Sequence, residues 1–144
     1  MKILFVCRAN SGRSQMAMEI YNSINPGEAE SAGTHVDIPG QKIKYRPTST
    51  SALLAMQKIG IDMSKNTRRQ LEPEMLSQYD HVVVLAETSS IPAFLNTWTG
   101  AEMWHIEDTK NVSVDRAIQI RNDLNKRIIQ LSKRLHPATS LITN

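Results

Sequence analysis

The sequence predicts an α/β fold, a single domain over residues 1–144 with a four-stranded parallel sheet flanked by helices in three layers. Three observations lead there. Short apolar runs alternate with segments of helical periodicity, the pattern of a parallel sheet covered on both faces. The run Ile3-Leu4-Phe5-Val6 passes through a polar loop, Cys7 to Arg13, straight into a helical segment. Near the C-terminus, Val114, Ala117, Ile118, Leu124, Ile128, Leu131 and Leu135 form one apolar stripe, read as a helix packed on a sheet.

The first strand is expected over residues 2–6 and the loop over 7–13. Helix one runs from Ser14 to Ile24 and stops at Asn25-Pro26-Gly27. Ala29 to Gly33 reads as a second, weaker strand, and Pro39-Gly40 lies in an exposed loop. Helix two spans Ser49 to Ile59, with Leu53, Met56 and Ile59 at helical spacing and Gly60 as its cap. A shorter helix is expected within Arg68–Tyr79, opened by Pro73, with Arg68-Arg69 as a solvated helix face. His81 to Leu85 is the clearest strand, rich in β-branched residues. A short helix over Ser90–Leu95, a fourth strand over Ala101–Ile106 and a long helix over Ser113–Leu135, closed by Pro137, complete the chain.

Composition narrows the chemistry. With 144 residues, 40% of them hydrophobic and 22% charged, the chain can bury a sizeable core. No apolar run reaches membrane-spanning length, and Met1-Lys2 followed directly by a strand is not a signal peptide, so the expected place of work is the cytosol. A net charge of +3 suits a small anionic substrate, without the basic stripe and interleaved aromatics of a nucleic-acid binder. The single cysteine excludes an internal disulfide and any mechanism needing two thiols from one chain. His35, His81, His105 and His136 lack metal-ligand spacing, so no metal is expected.

The stretch Cys7-Arg8-Ala9-Asn10-Ser11-Gly12-Arg13-Ser14 carries the functional signal. A strand-to-helix loop aims successive backbone N–H groups at one point, and the helix N-terminus adds its positive end. Arg13 adds a forked, permanently charged donor suited to a tetrahedral oxyanion. A lone cysteine is most often a small buried hydrophobe. Cys7, however, opens a loop bearing two arginines, where the thiolate is favoured. The stretch reads as an oxyanion site with a nucleophile in it. Ser14 also fits as a helix N-cap, and Asn10 as a residue tolerating a left-handed turn. Asp108 follows the fourth predicted strand, on the same sheet edge as Cys7, and reads either as an acid of that site or as a turn residue.

The segment Ile3–Ala17 resembles the phosphate loop of the low-molecular-weight protein tyrosine phosphatase superfamily, which includes related arsenate reductases. The resemblance continues through Ser31-Ala32-Gly33-Thr34, Gly60-Ile61-Asp62, Arg68-Arg69-Gln70-Leu71, Tyr79-Asp80 and Trp104-His105-Ile106-Glu107-Asp108. It implies that Cys7 attacks phosphorus to form cysteinyl-phosphate. The loop from Arg8 through Ala9, Asn10, Ser11 and Gly12 to Arg13 would hold the oxyanion. Asn10 would brace the loop, Ser14 would donate to the Cys7 thiolate, and Asp108 would act as general acid and then base. No cofactor is implied; the expected partner is a phosphorylated protein or small phosphoester.

The sequence departs from the phosphatase pattern at three places. Asp108 precedes Thr109 where most relatives have proline. Lys110 and Asn111 stand where a tyrosine pair is common, leaving Tyr45 and Trp98 as candidates for an aromatic substrate wall. Gly12 replaces a second loop cysteine. Arg13-Ser14-Gln15-Met16-Ala17 and Trp104 to Asp108 are closer to the arsenate reductase branch, yet Ala86 stands near the place of a resolving cysteine. A single-cysteine arsenate reductase would therefore need an external thiol. A phosphate-binding module without turnover is a third reading, which the joint presence of Cys7, Arg13 and Asp108 disfavours.

Overall fold

Two central strands that are apolar on both faces set the architecture. In the computed structural model, which describes residues 1–87, 89, 91–96, 98 and 101–137, β1 (Ile3–Cys7) sends Ile3 and Phe5 to one face and Leu4 and Val6 to the other. Helices α1 (Arg13–Ile24), α2 (Thr50–Gln57) and α4 (Val114–Leu135) cover the first face, where Phe5 and Val83 meet Met16, Met56 and Leu124. A 3-10 turn (Pro73–Gln78) and α3 (Ala93–Asn96) cover the second, with Leu76, Tyr79 and Leu95 against Leu4 and Val84. β1 is buried on both sides, as a continuous apolar run requires.

The sheet order is β2-β1-β3-β4, all parallel, with β2 at Ala29–Gly33, β3 at His81–Val84 and β4 at Ala101–Met103. The chain leaves β1 for one side of the sheet and then for the other. The winding therefore reverses at the C-terminal end of β1, where such sheets open a ligand crevice.

Four expectations are corrected. The fourth strand ends at Met103 rather than Ile106: Trp104 N–H still bonds Val84 O at 2.9 Å, but two residues on, the Ile106 carbonyl accepts from the Arg13 side chain at 3.2 Å. Helix two stops at Gln57, so Ile59 is exposed instead of sharing the stripe of Met56. Residues 68–72 are extended rather than helical, and Arg68 is buried instead of solvated. The terminal helix packs against α1 and α2, and its Ile120, outside the predicted stripe, is buried with Leu124 and Ile128.

Other boundaries agree closely. Ser113 caps α4, its Oγ accepting from Arg116 N–H at 3.1 Å. α3 begins just after Pro92, whose carbonyl accepts from Leu95 N–H. Ser90 and the tail 138–144 lie outside the described residues. Among the described residues no helix is long and apolar enough to cross a membrane.

Leu124 is fully buried between α4 and the sheet-side core. Leu124→Ala is expected to lower unfolding free energy by about 2–5 kcal/mol, read by denaturant titration with an unchanged slope.

Candidate active site

The loop between β1 and α1 is built by turning its carbonyls into the scaffold. Cys7 O accepts from Thr34 N–H, Arg8 O from His35 N–H, and Ala9 O from both Nε and Nη2 of Arg68 at 3.1 and 3.0 Å. Among the described residues, no backbone N–H from Arg8 to Gly12 is spent on a protein acceptor, which leaves these donors for an anion. The end of β2 approaches so closely that a Cβ on Gly33 would stand 2.7 Å from Arg8 O and 2.9 Å from Asn10 N. Only glycine permits that contact.

Asn10 holds the turn. It lies in the left-handed region at φ 54° and is fully buried. Its Nδ2 donates to Ser14 Oγ (2.8 Å) and Ser31 Oγ (3.0 Å), while its Oδ1 accepts from Arg69 N–H (2.7 Å) and Gln15 Nε2 (3.2 Å). Ser14 Oγ is in turn 2.9 Å from Cys7 Sγ. Because Asn10 occupies a lone pair of that hydroxyl, the Ser14 proton is available to a thiolate at Cys7. Cys7 is the last residue of β1, and its side chain is buried at the mouth of the loop.

Arg13, the first residue of α1, is 3% exposed. Its Nη1 donates to Leu85 O (2.8 Å), Ile106 O (3.2 Å) and Glu87 Oε1 (2.8 Å). Its Nη2 is 3.8 Å from Asp108 Oδ2, and its buried Nε has no partner among the described residues. One edge of the guanidinium is thus fixed and the Nε is left unsatisfied, a state that costs stability unless an anion takes the site. Burial works against the Arg13 charge, but the anionic forms of Cys7, Glu87 and Asp108 outweigh it and raise its pKa. A cavity of about 420 Å³ opens beside Arg13, lined in part by Ala86, Glu87, Trp104 and Ile106.

Of the sequence-derived candidates, Cys7, Asn10, Ser11, Gly12, Arg13 and Ser14 are buried in the loop, Ala9 is half-buried, and Arg8 is exposed beside it. Asp108 reaches the same sheet edge, with Oδ1 accepting from Lys110 N–H at 3.1 Å. Tyr45 is exposed beneath Lys44, while Trp98 packs on the second core cluster. Among the described residues no group of three His, Cys, Asp or Glu side chains is arranged to hold a metal.

Two residues are prominent here that the sequence reading did not place in the site. Arg68 clasps the loop carbonyl of Ala9 and pairs with Asp37 at 2.7 Å and Gln41 at 2.7 Å. Glu87 anchors Arg13. Neither carries a local signal, because each partner is distant in sequence; two adjacent arginines before a buried strand were the one available hint.

Burial raises the Glu87 pKa, but its bonds with Arg13 and its own backbone outweigh that effect, so the net shift is downward. A depressed carboxylate stabilises the fold above its unfolded pKa of about 4.3 and loses that contribution as pH falls through the folded value. Glu87→Gln is therefore expected to cost on the order of 1 kcal/mol at pH 7, screened by the exposure of Glu87, and nothing once the pH lies well below the glutamate range. Denaturation at both pH values reads the difference.

Comparison with known proteins agrees with this geometry. The family model described as low molecular weight phosphotyrosine protein phosphatase matches residues 2–140. A glutaredoxin arsenate reductase of Synechocystis is 29% identical over 131 residues, 90% of this chain and 95% of its own. The crystal structure of a low molecular weight protein tyrosine phosphatase from T. tengcongensis superposes with a TM-score of 0.71 at 25% identity, covering 93% of this chain and 99% of that one. An arsenate reductase in a phosphate-binding state superposes with a TM-score of 0.75 at 28% identity, covering 93% and 98%. With its family model matched from the second residue to the hundred-and-fortieth, the chain belongs to the low molecular weight phosphotyrosine protein phosphatase family.

Proposed function

We propose that the protein hydrolyses phosphomonoesters, aryl phosphates of the phosphotyrosine type foremost, through a cysteinyl-phosphate intermediate. One observation carries the reading: a buried cysteine in contact with a serine hydroxyl shares its loop with an arginine whose buried Nε has no partner among the described residues. Binding alone needs no nucleophile there.

In the first step the Cys7 thiolate attacks phosphorus, and the bond from phosphorus to the ester oxygen breaks. The loop N–H groups of Arg8, Ala9, Asn10, Ser11 and Gly12, with Arg13 Nε, hold the three non-bridging oxygens as charge spreads over them. Asp108, held beside Arg13 Nη2, gives its proton to the departing oxygen. In the second step Asp108 takes a proton from water, the water oxygen attacks phosphorus, and the sulfur–phosphorus bond breaks. Ser14, polarised by Asn10, donates to the sulfur as it regains its charge. Thiolate chemistry calls for a reducing compartment, which supports a cytosolic protein acting on phosphorylated proteins or small phosphoesters.

Arsenate reduction is the second reading, favoured by the Synechocystis relative named for that activity. Arsenate has the same tetrahedral shape and charge as phosphate. Since Cys7 is the chain's single cysteine, the adduct would have to be resolved by a thiol from outside, a small thiol or a partner protein.

Steady-state hydrolysis of an aryl phosphate is expected to show turnover that disappears in Cys7→Ser. Asp108→Asn is expected to lose roughly 100-fold or more on a poor leaving group and much less on an activated one. If folded, reduced protein gives no turnover, the hydrolase reading fails. Arsenate reduction with added thiol then separates the reductase from a phosphate-binding module without catalysis.

A further inference from the structure

Thr109 is the buried residue of the segment that carries Asp108, at 2% exposed between exposed neighbours Asp108 and Lys110. Its side chain lies on Gly12. A Cβ built on Gly12 would stand 2.1 Å from Thr109 Oγ1 and 3.5 Å from Thr109 Cβ. The φ of Gly12 is negative, at −134°, outside the left-handed region, and the atom a side chain there would meet is Thr109 Oγ1. On its other side, Thr109 O accepts from Ser51 Oγ at 3.3 Å, which ties the segment to α2. One residue upstream of Asp108, Glu107 makes a two-fold hydrogen-bonded ion pair with Arg116 of α4.

We propose that Thr109 is a positioning residue for Asp108, seating the acid-bearing segment on the phosphate loop through the bare Cα of Gly12. The inference rests on the reading of Asp108 as general acid. Asp108 itself is exposed; among the described residues its carboxylate accepts a hydrogen bond only within its own turn and lies 3.8 Å from Arg13 Nη2. Its place relative to Cys7 is therefore set by its flanking anchors, Glu107 and Thr109, rather than by its own contacts. Where Thr109 meets Gly12, the segment bears directly on the phosphate loop. A displacement of about 1 Å at an acid of this kind costs up to 100-fold in rate.

The pair admits a decisive double-mutant cycle. Gly12→Ala alone places a methyl against Thr109 Oγ1 and pushes the segment outward. Thr109→Ala removes that oxygen and leaves the two Cβ atoms 3.5 Å apart, an ordinary contact, so the double variant fits where the single Gly12→Ala does not. The expected results are a loss of about tenfold in kcat on an unactivated aryl phosphate for Thr109→Ala, little loss on an activated one, and a weakened pH dependence of kcat on the Asp108 side. Thr109→Ser, which keeps the oxygen, is expected to restore both. Inhibition by inorganic phosphate, a report on the loop alone, is expected to stay within about threefold in Thr109→Ala. Gly12→Ala is expected to fall further than Thr109→Ala, and the double variant to return to the Thr109→Ala level rather than multiply the losses.

Wild-type leaving-group and pH dependence in Thr109→Ala would overturn the proposal, as would a Gly12→Ala defect that Thr109→Ala does not relieve. If Gly12→Ala does not fold, Thr109→Ala and Thr109→Ser decide the matter. Failure of the underlying reading is distinguishable: Asp108→Asn would then match wild type on the unactivated ester, and the positioning role would fall with it.

Discussion

The carboxamide of Asn10 is the interaction on which the site depends. Four hydrogen bonds converge on one side chain, from or to Ser14, Ser31, Gln15 and the Arg69 backbone. They join α1, β2 and the extended segment after residue 67 to a loop residue at φ 54°. Each bond is worth about 0.5–1.5 kcal/mol net, enough together to hold a left-handed turn that a lone asparagine would leave often. With that turn fixed, the loop carbonyls face the scaffold, the N–H groups face the crevice, and Ser14 is oriented toward Cys7. An apolar residue at position 10 would leave Ser14, Ser31 and Arg69 N–H without this partner.

Charge is managed on the same plan. A buried arginine is tolerable only if paired and hydrogen-bonded. Arg13 meets that condition on one edge through two carbonyls and Glu87, and leaves its Nε for a substrate oxyanion. Arg68 meets it completely, joining the Ala9 carbonyl to Asp37 and Gln41. The two arginines therefore divide the work. One holds the loop from behind, and the other presents a donor at its focus.

What could be read from the sequence was local. Cys7 and Arg13 sit within one short loop, the β-branched run at 82–84 announces a buried strand, and Gly and Pro mark where helices stop. These signals depend on neighbours a few residues away. The unread features all depend on distant partners. Arg68 looked like surface because nothing near it in sequence reveals the carbonyl of Ala9. The fourth strand looked longer because its apolar residues, Trp104 and Ile106, are buried even though the chain has left the sheet there. Glu87 carries no pattern at all; its meaning comes from Arg13, 74 positions earlier. Gly12 and Thr109, each a departure from the family pattern when read singly, fit together in space.

The most direct test of the chemistry is to trap the intermediate. With an activated leaving group, Asp108→Asn should slow release of phosphate from sulfur more than its arrival, so the variant mixed with an activated aryl phosphate and quenched should carry a phosphoryl group. Peptide mass analysis is expected to find one phosphoryl group on the peptide containing Cys7, and none when Cys7 is also changed to Ala. Turnover without a phosphoryl group on Cys7, or with the group on another residue, would contradict the account.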